Sequence, residues 1–288
     1  MEWFPLTLLC AFSLATADAL TKRHLADCRT RELVLVRMVA PALLLAPLML
    51  LHPLPPVPAP FWWWLALLVP LEVAAMFLYM RAIRDTPPHL TLPYLAFTPV
   101  FNVLTGWWIL GETVSGRGLA GVLLVVAGAY LLNLKHLRSS RGLWQPLAAV
   151  ARERGSRLML GVAAIYSITS VGGKAAMAYA TPATFGPFYF VVIGGLTALF
   201  FALREPSALT ILRRRPAPVL AIGLAMAAMV LTHFAAIARV EVAYMITVKR
   251  TSLLFGIAYG ALWFGERGTL LHLFAGLLMV GGVGLILI

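Results

Sequence analysis

Ten apolar stretches, each close to the length of a bilayer crossing, follow one another along this chain with little between them. They lie near residues 3–20, 33–51, 61–81, 89–110, 118–134, 158–179, 183–203, 216–238, 242–264 and 268–288. A spanning helix needs roughly 20 apolar residues to cross ~30 Å of hydrocarbon. The pattern predicts an all-α integral membrane protein with ten transmembrane helices. Composition agrees, because only 12% of the 288 residues are charged and 61% are hydrophobic, whereas about a quarter of a soluble domain is charged. The longest connection, residues 135–157, is too short for a separate domain. Met1-Glu2 lacks a basic n-region, so the first stretch is expected to stay in the membrane. Cys10 and Cys28 form no CxxC pair and no metal spacing.

The net charge of +12 raises the question of nucleic acid. Its distribution excludes that partner, since the basic residues sit in short loops between apolar stretches. The loops after the first, third, fifth, seventh and ninth stretches hold 17 Lys and Arg, and the opposite loops hold only Arg117 and Arg239. Cytoplasmic loops carry the excess of Lys and Arg. The count therefore predicts both termini outside, in a bacterial inner membrane. Trp62, Trp63 and Trp64 then follow an uncharged outer loop, at the interface.

The chain also repeats itself. TPVFNVLTGWWILGE ends at Glu112 and SLLFGIAYGALWFGE ends at Glu266. Aligning the two glutamates sets Phe101 on Phe255 and Gly111 on Gly265. A Gly-rich final stretch follows each, AGVLLVVAG (120–128) and AGLLMVGG (275–282). Upstream, Phe12-Ser13 falls on Tyr166-Ser167. The halves are 1–134 and 158–288, joined by the basic loop 135–157. Five stretches per half, an odd number, forces opposite orientations, and inverted repeats are a recurring transporter architecture.

On these motifs, the run from Pro99 to Gly128, its echo from Phe255 to Gly282 and the spacing from Tyr166 to Lys174, the chain resembles the EamA-type transporters of the drug/metabolite transporter superfamily. The resemblance implies ten helices and alternating access. It implies a central cavity lined by the third, fourth, eighth and ninth helices, with contributions from the first and sixth. It also implies cytoplasmic termini, the reverse of the charge count, and both orientations stay open. A second resemblance is local. Lys249-Arg250 looks like the Lys-Arg pair with which the plastid triose-phosphate translocators hold phosphate. Those proteins carry a further Lys four residues before a Pro, where this chain has Leu95 before Pro99.

Lys249 and Arg250 lie about seven residues into the ninth stretch, about 10 Å below the surface at ~1.5 Å per residue. A lone Lys or Arg at mid-membrane costs roughly 2.5–3.5 kcal/mol. Either the pair is structural or snorkels to the interface, or it binds an anion in a wet cavity. Arg offers bidentate geometry to carboxylate or phosphate, and Lys a point charge. Glu72, near the middle of the third stretch, is a counter-ion, a proton-coupling carboxylate or a cation ligand. Lys174, in YSITSVGGKAAM, is a ligand or a structural residue. His233 is a ligand or a packing histidine. With Arg239 these basic groups would form an electrostatic funnel. Tyr79, Tyr94, Tyr189 and Tyr244 are candidate hydrogen-bond donors, and Tyr94 lies between Pro93 and Pro99, which loosen its helix. Asp18 and Arg37 are a candidate inner gate pair. Glu112 and Glu266 are expected to order the turns that follow them.

The leading expectation is a secondary transporter of a small organic anion. The alternatives are a flippase for an anionic lipid or lipid-linked sugar phosphate, and an exporter of amino acids or cationic drugs. A non-transporting assembly partner is a further class. No HExxH, GxSxG or Walker A sequence occurs, so neither catalysis nor direct ATP use is expected. The substrate-binding candidates are Lys249, Arg250, Glu72, Lys174, His233, Tyr94, Tyr79 and Tyr244, and no cofactor or metal is expected. Ten helices suffice for a pathway in a monomer, and a homodimer remains open.

Overall fold

The computed structural model describes residues 1–85, 92–133, 153–265 and 270–288. Every regular element among them is helical. In chain order these are α1 (Trp3–His24), α2 (Thr30–Leu45), α3 (Leu48–Leu51), α4 (Ala59–Asp85), a 3-10 turn (Leu92–Phe97), α5 (Thr98–Leu110) and α6 (Gly116–Asn133). There follow α7 (Arg154–Ala176), α8 (Pro182–Arg204), a second 3-10 turn (Pro206–Thr210), α9 (Ile211–Arg214), α10 (Pro216–Ile237), α11 (Val242–Lys249), α12 (Ser252–Phe264) and α13 (Leu270–Leu287). Among the described residues six helices are long and apolar enough to cross a membrane: Trp3–His24, Thr30–Leu51, Ala59–Tyr79, Arg154–Ala176, Pro182–Arg204 and Pro216–Ile237. Three shorter apolar helices, Tyr94–Leu110, Gly116–Leu132 and Leu271–Leu287, accompany them. Several boundaries differ from the sequence expectation, among them the end of α1 at His24 and the start of α2 at Thr30. α7 begins at Arg154, and α4 runs on to Asp85. Hydropathy marks the apolar part of a helix, and the backbone ladder continues past it into polar residues. The predicted basic connection lies outside the described residues as far as position 152, as does Glu266.

Packing divides the chain into two compact units, each assembled from separate segments. The first comprises Met1–Val69, Gly173–Arg239 and Ser252–Gly265. In it α1 packs on α10 and α12, and α2 packs on α8 and α10. An aromatic cluster fills its core. Phe185 stacks on Tyr189 with ring centroids 5.4 Å apart and meets Phe234 edge-on at 5.2 Å. Three of the basic loop residues are paired locally. Arg215 pairs with Asp27 at 2.6 Å, Arg214 with Glu32 at 3.3 Å, and Arg31 with Glu205.

The second unit comprises Pro70–Gly172, Val240–Thr251 and Glu266–Ile288. Its main seam is α6 against α13. There the backbones come close enough that a Cβ on Gly121 would sit 2.5 Å from the Gly282 carbonyl oxygen, and one on Gly282 would sit 2.6 Å from that of Gly121. Lipid tails are as apolar as Leu, so helices in a bilayer associate through such close small-residue contacts. α11 packs on α5 and α6 in the same unit.

Helices of equal length stand at the positions set opposite one another in the sequence. α5 and α12 each have 13 residues, and α6 and α13 each have 18. Gly111 (φ 68°) and Gly265 (φ 63°), paired in the alignment, are the positive-φ residues among those described. A left-handed residue ends a helix cheaply only when it lacks a Cβ.

Candidate functional site

The ninth apolar stretch is two helices. α11 stops at Lys249, Arg250 is its C-cap, and α12 starts at Ser252. Neither Pro nor Gly lies at the break. Instead the Arg250 and Thr251 N–H groups donate to the carbonyls of Thr247 and Val248, each at 3.0 Å, which is the tighter 3-10 spacing. The Thr251 hydroxyl also donates to the Val248 carbonyl at 2.8 Å, and that of Thr247 to Ala243 at 2.5 Å. Threonine back-bonding of this kind competes with the helical ladder and bends it. The break leaves both cations at the C-terminal end of a half-helix, where the partial negative charge of the backbone favours them.

Three other elements of the same unit bring polar groups to this end. Glu72 lies two residues beyond Pro70 in α4. Its carboxylate shares a hydrogen bond with the Thr169 side chain of α7 and lies in electrostatic range of Lys249. Arg250 faces different partners. The groups acting on its charge are the phenols of Tyr79 and Tyr166. Its Nε is buried with no hydrogen-bond partner among the described residues. Tyr79 is on the Glu72 face of α4, two turns on, and Tyr166 precedes Thr169 and Ser170 at the helical three- and four-residue spacings. One turn beyond Tyr166, Ser170 Oγ donates to Asn102 Oδ1 of α5 at 3.1 Å. Asn102 is fully buried, and its Nδ2 also lacks a partner among the described residues.

This arrangement is a polar strip made by α4, α5, α7 and the α11 break. Lys249 has the Glu72 carboxylate nearby, and among the described residues the groups acting on Arg250 are the two phenols. Arg250 and Asn102 carry N–H groups that no protein atom among the described residues accepts. Buried donors without acceptors are costly and uncommon. Among the described residues such a strip presents donors and, at Arg250, a positive charge with no carboxylate paired to it.

The remaining candidates are placed as follows. Tyr94 is fully buried among Ala75, Ala82, Met159 and Val162, and its hydroxyl bonds the Ser156 side chain. The Tyr244 hydroxyl accepts from the Ser115 N–H at 3.0 Å. Lys174 and His233 belong to the first unit. There Lys174 lies in the last turn of α7, and the His233 ring meets Phe234 edge-on at 5.0 Å. The Tyr189 hydroxyl donates to the Leu68 carbonyl at 3.4 Å. Asp18 and Arg37 do pair, at 2.6 Å, and Arg239 approaches Glu2 at 3.8 Å. Among the described residues no group of three or more His, Cys, Asp and Glu is placed to hold a metal ion. Sequence reasoning missed Asn102, Tyr166, Thr169 and Ser170 as candidate site residues. The available signal was an amide inside the apolar run VFNVL and a polar i, i+3, i+4 face in YSITS.

Comparison with known proteins adds a family and a fold. The chain matches the model of a family described as the EamA-like transporter family over residues 1–134 and 154–288. It is similar to two curated proteins, each a "Probable 4-amino-4-deoxy-L-arabinose-phosphoundecaprenol flippase subunit ArnE". The one from Erwinia tasmaniensis is 33% identical over 70 residues, covering 24% of this chain and 65% of the relative. The one from Enterobacter sp. (strain 638) is 34% identical over 72 residues, covering 25% and 67%. The chain thus spans about two thirds of the length of these relatives, which match a quarter of it. A crystal structure superposes with a TM-score of 0.76 at 16% identity, covering 99% of this chain and 96% of the other, a likeness of fold.

Proposed function

This chain belongs to the EamA-like transporter family, and on that premise we propose that it is a secondary transporter of a small organic anion, with Arg250 and Lys249 as the anion clamp. The observation that carries this reading is the Arg250 guanidinium, buried beside two phenols with an Nε that has no partner among the described residues. A carboxylate or phosphate oxygen supplies the missing acceptor and the missing negative charge together. Glu72 then balances Lys249 between turnovers and exchanges it with the arriving anion. Asn102 and Ser170 read a second acceptor on the same substrate. Tyr79 and Tyr166 hold the guanidinium plane through cation–π or hydroxyl contacts. The ten apolar stretches act as two inverted five-helix repeats, 1–134 and 158–288, and transport proceeds by alternating access. The protein resides in a bacterial inner membrane, where one chain carries a complete pathway.

A second reading is favoured by the names of the two relatives. In it the anion is the phosphate of a lipid-linked sugar, and the protein is a flippase or a subunit of one. The clamp chemistry is shared, and the difference lies in whether the phosphate arrives on an acyl or isoprenyl tail.

The test is ligand-induced thermal stabilisation of the purified protein against short carboxylates, sugar phosphates, isoprenyl phosphates, neutral amino acids and organic cations. A ligand that binds only the folded state raises its stability by RT ln(1 + [L]/Kd). Protection by soluble anions, lost in Lys249→Ala/Arg250→Ala, supports the first reading. Protection by isoprenyl phosphates alone supports the second. Protection by cations, unaffected by the double substitution, sinks both.

A further inference from the structure

The turn Gly111–Ser115 does more than end one helix and begin the next. Gly111 closes α5 in the left-handed conformation, its N–H donating to the Trp107 carbonyl at 3.1 Å. Ser115 caps α6, its Oγ accepting from the Gly118 N–H at 3.0 Å. Between them Glu112 reaches a distant segment. Its Oε2 accepts from the Val242 N–H at 2.8 Å.

Val242 is the first residue of α11, the half-helix that ends in Lys249. The first N–H groups of any helix lack intrahelical acceptors. The residue in the N-cap position, Glu241, makes no side-chain cap. Glu112 supplies the acceptor instead, with a negative charge at the positive end of the helix. A second contact joins the same two segments. The Tyr244 hydroxyl accepts from the Ser115 N–H at 3.0 Å and lies 3.3 Å from Ser115 Oγ. Its ring occupies the space over Gly118, where an added Cβ would fall 2.0 Å from the Tyr244 oxygen. Both contacts hold the first turn of α11, and an eight-residue helix is two turns long. Its far end carries Lys249 and Arg250.

We propose that Glu112 and Tyr244 are positioning residues, forming a latch between the Gly111–Ser115 turn and the start of α11 that sets where the Lys249–Arg250 pair stands. The proposal rests on the anion-clamp reading for its functional consequence, and on geometry alone for its structural one. It gives Tyr244 a role as a strut of the clamp and Glu112 a role beyond ordering its own turn. A half-helix only two turns long has little stability of its own, so its orientation depends on what anchors its start.

The test uses the full-length protein in detergent, with two readouts. One is amide hydrogen exchange over residues 243–251 without ligand. The other is thermal protection by inorganic phosphate and by succinate. The variants are Glu112→Ala, Glu112→Gln, Val242→Pro and the Glu112→Ala/Val242→Pro double. Proline fits the first position of a helix and lacks only the N–H. Glu241 already has the extended ψ of 137° that a following proline requires. Glu112→Ala and Val242→Pro should each speed exchange and weaken anion protection by about 2- to 30-fold, the range of a lost cap. The double should be no worse than Glu112→Ala alone, since Val242→Pro removes a bond that Glu112→Ala has already lost. Glu112→Gln keeps an acceptor and should restore most of both. Tyr244→Phe should speed exchange to a lesser degree. If Glu112→Ala leaves exchange over 243–251 unchanged, or if the two single effects add in full, the latch is wrong even where anions bind the wild type. If no anion protects the wild type but exchange responds as described, the latch stands and the anion reading fails.

Discussion

Removing the Arg250 side chain should change stability and binding in opposite directions. Arg250→Met keeps an apolar stem of similar length and deletes the buried Nε, unpartnered among the described residues, together with its charge. An unsatisfied buried donor costs about 1–3 kcal/mol, more when charged. The ligand-free variant should therefore be at least as stable as the wild type, and by up to that amount more so. Binding should fall. One charge-assisted hydrogen bond is worth about 1.5–3 kcal/mol, so losing a contact at the upper value weakens Kd by about 150-fold. At an anion concentration of 100 times the wild-type Kd, the wild type gains about 2.7 kcal/mol and the variant only about 0.3 kcal/mol. Thermal unfolding followed by intrinsic tryptophan fluorescence, with and without the anion, reads both quantities from one sample. Arg250→Lys retains the charge and loses the planar fork, so its protection should fall between the two. A ligand-free Arg250→Met that melts clearly below the wild type while anions still protect it would refute the reasoning, because the guanidinium would then be a structural strut.

Gly121→Ala should destabilise the α6–α13 seam by about 1–3 kcal/mol, because the new Cβ meets backbone 2.5 Å away. Gly281→Ala, next to Gly282 with nothing within 4 Å of its Cβ, should be near neutral; equal melting points for the two would mean the helices do not pack there. Asn102→Leu removes the orphaned amide and its Ser170 bond. It should leave ligand-free stability unchanged or higher while weakening anion protection by about tenfold, the value of one hydrogen bond. Burial pushes the Cys28 thiol above its ordinary range, and the Asp27 and Glu32 carboxylates add to the effect. Less thiolate is present at neutral pH, so alkylation by an impermeant maleimide should be slower than for an ordinary exposed cysteine and accelerate as pH rises above 8. In intact cells the same reagent should spare Cys28 if the basic loop faces the cytoplasm, and labelling from outside would reverse the orientation proposed from the loop charges. Cys10, buried in α1, should not react in the folded protein.

Much was legible in the chain because the membrane imposes a local rule. A run of some 20 apolar residues has one low-energy place to go, wherever its neighbours are. Helical membrane character and family were readable from such runs and from the two Gly-Glu motifs. Gly111 and Gly265 could be singled out because a left-handed helix end needs glycine whatever surrounds it. Lys249 and Arg250 stood out for the same local reason, as charges in an apolar run.

Tertiary structure decided the rest. The halt of α11 at Lys249 shows in the i−3 bonds of the Arg250 and Thr251 N–H groups, and its threonines do not announce it, since Thr16 and Thr105 back-bond in the same way inside unbroken helices. Asn102 meets Ser170 through the rotation of α5 and α7 about their axes, which a row of letters does not record. Glu112 caps a helix 130 positions away, although as a sequence feature it belongs to its own turn. Hydropathy is a property of each residue against its solvent. A hydrogen bond between helices depends on register and rotation together, and those are settled only when the helices pack.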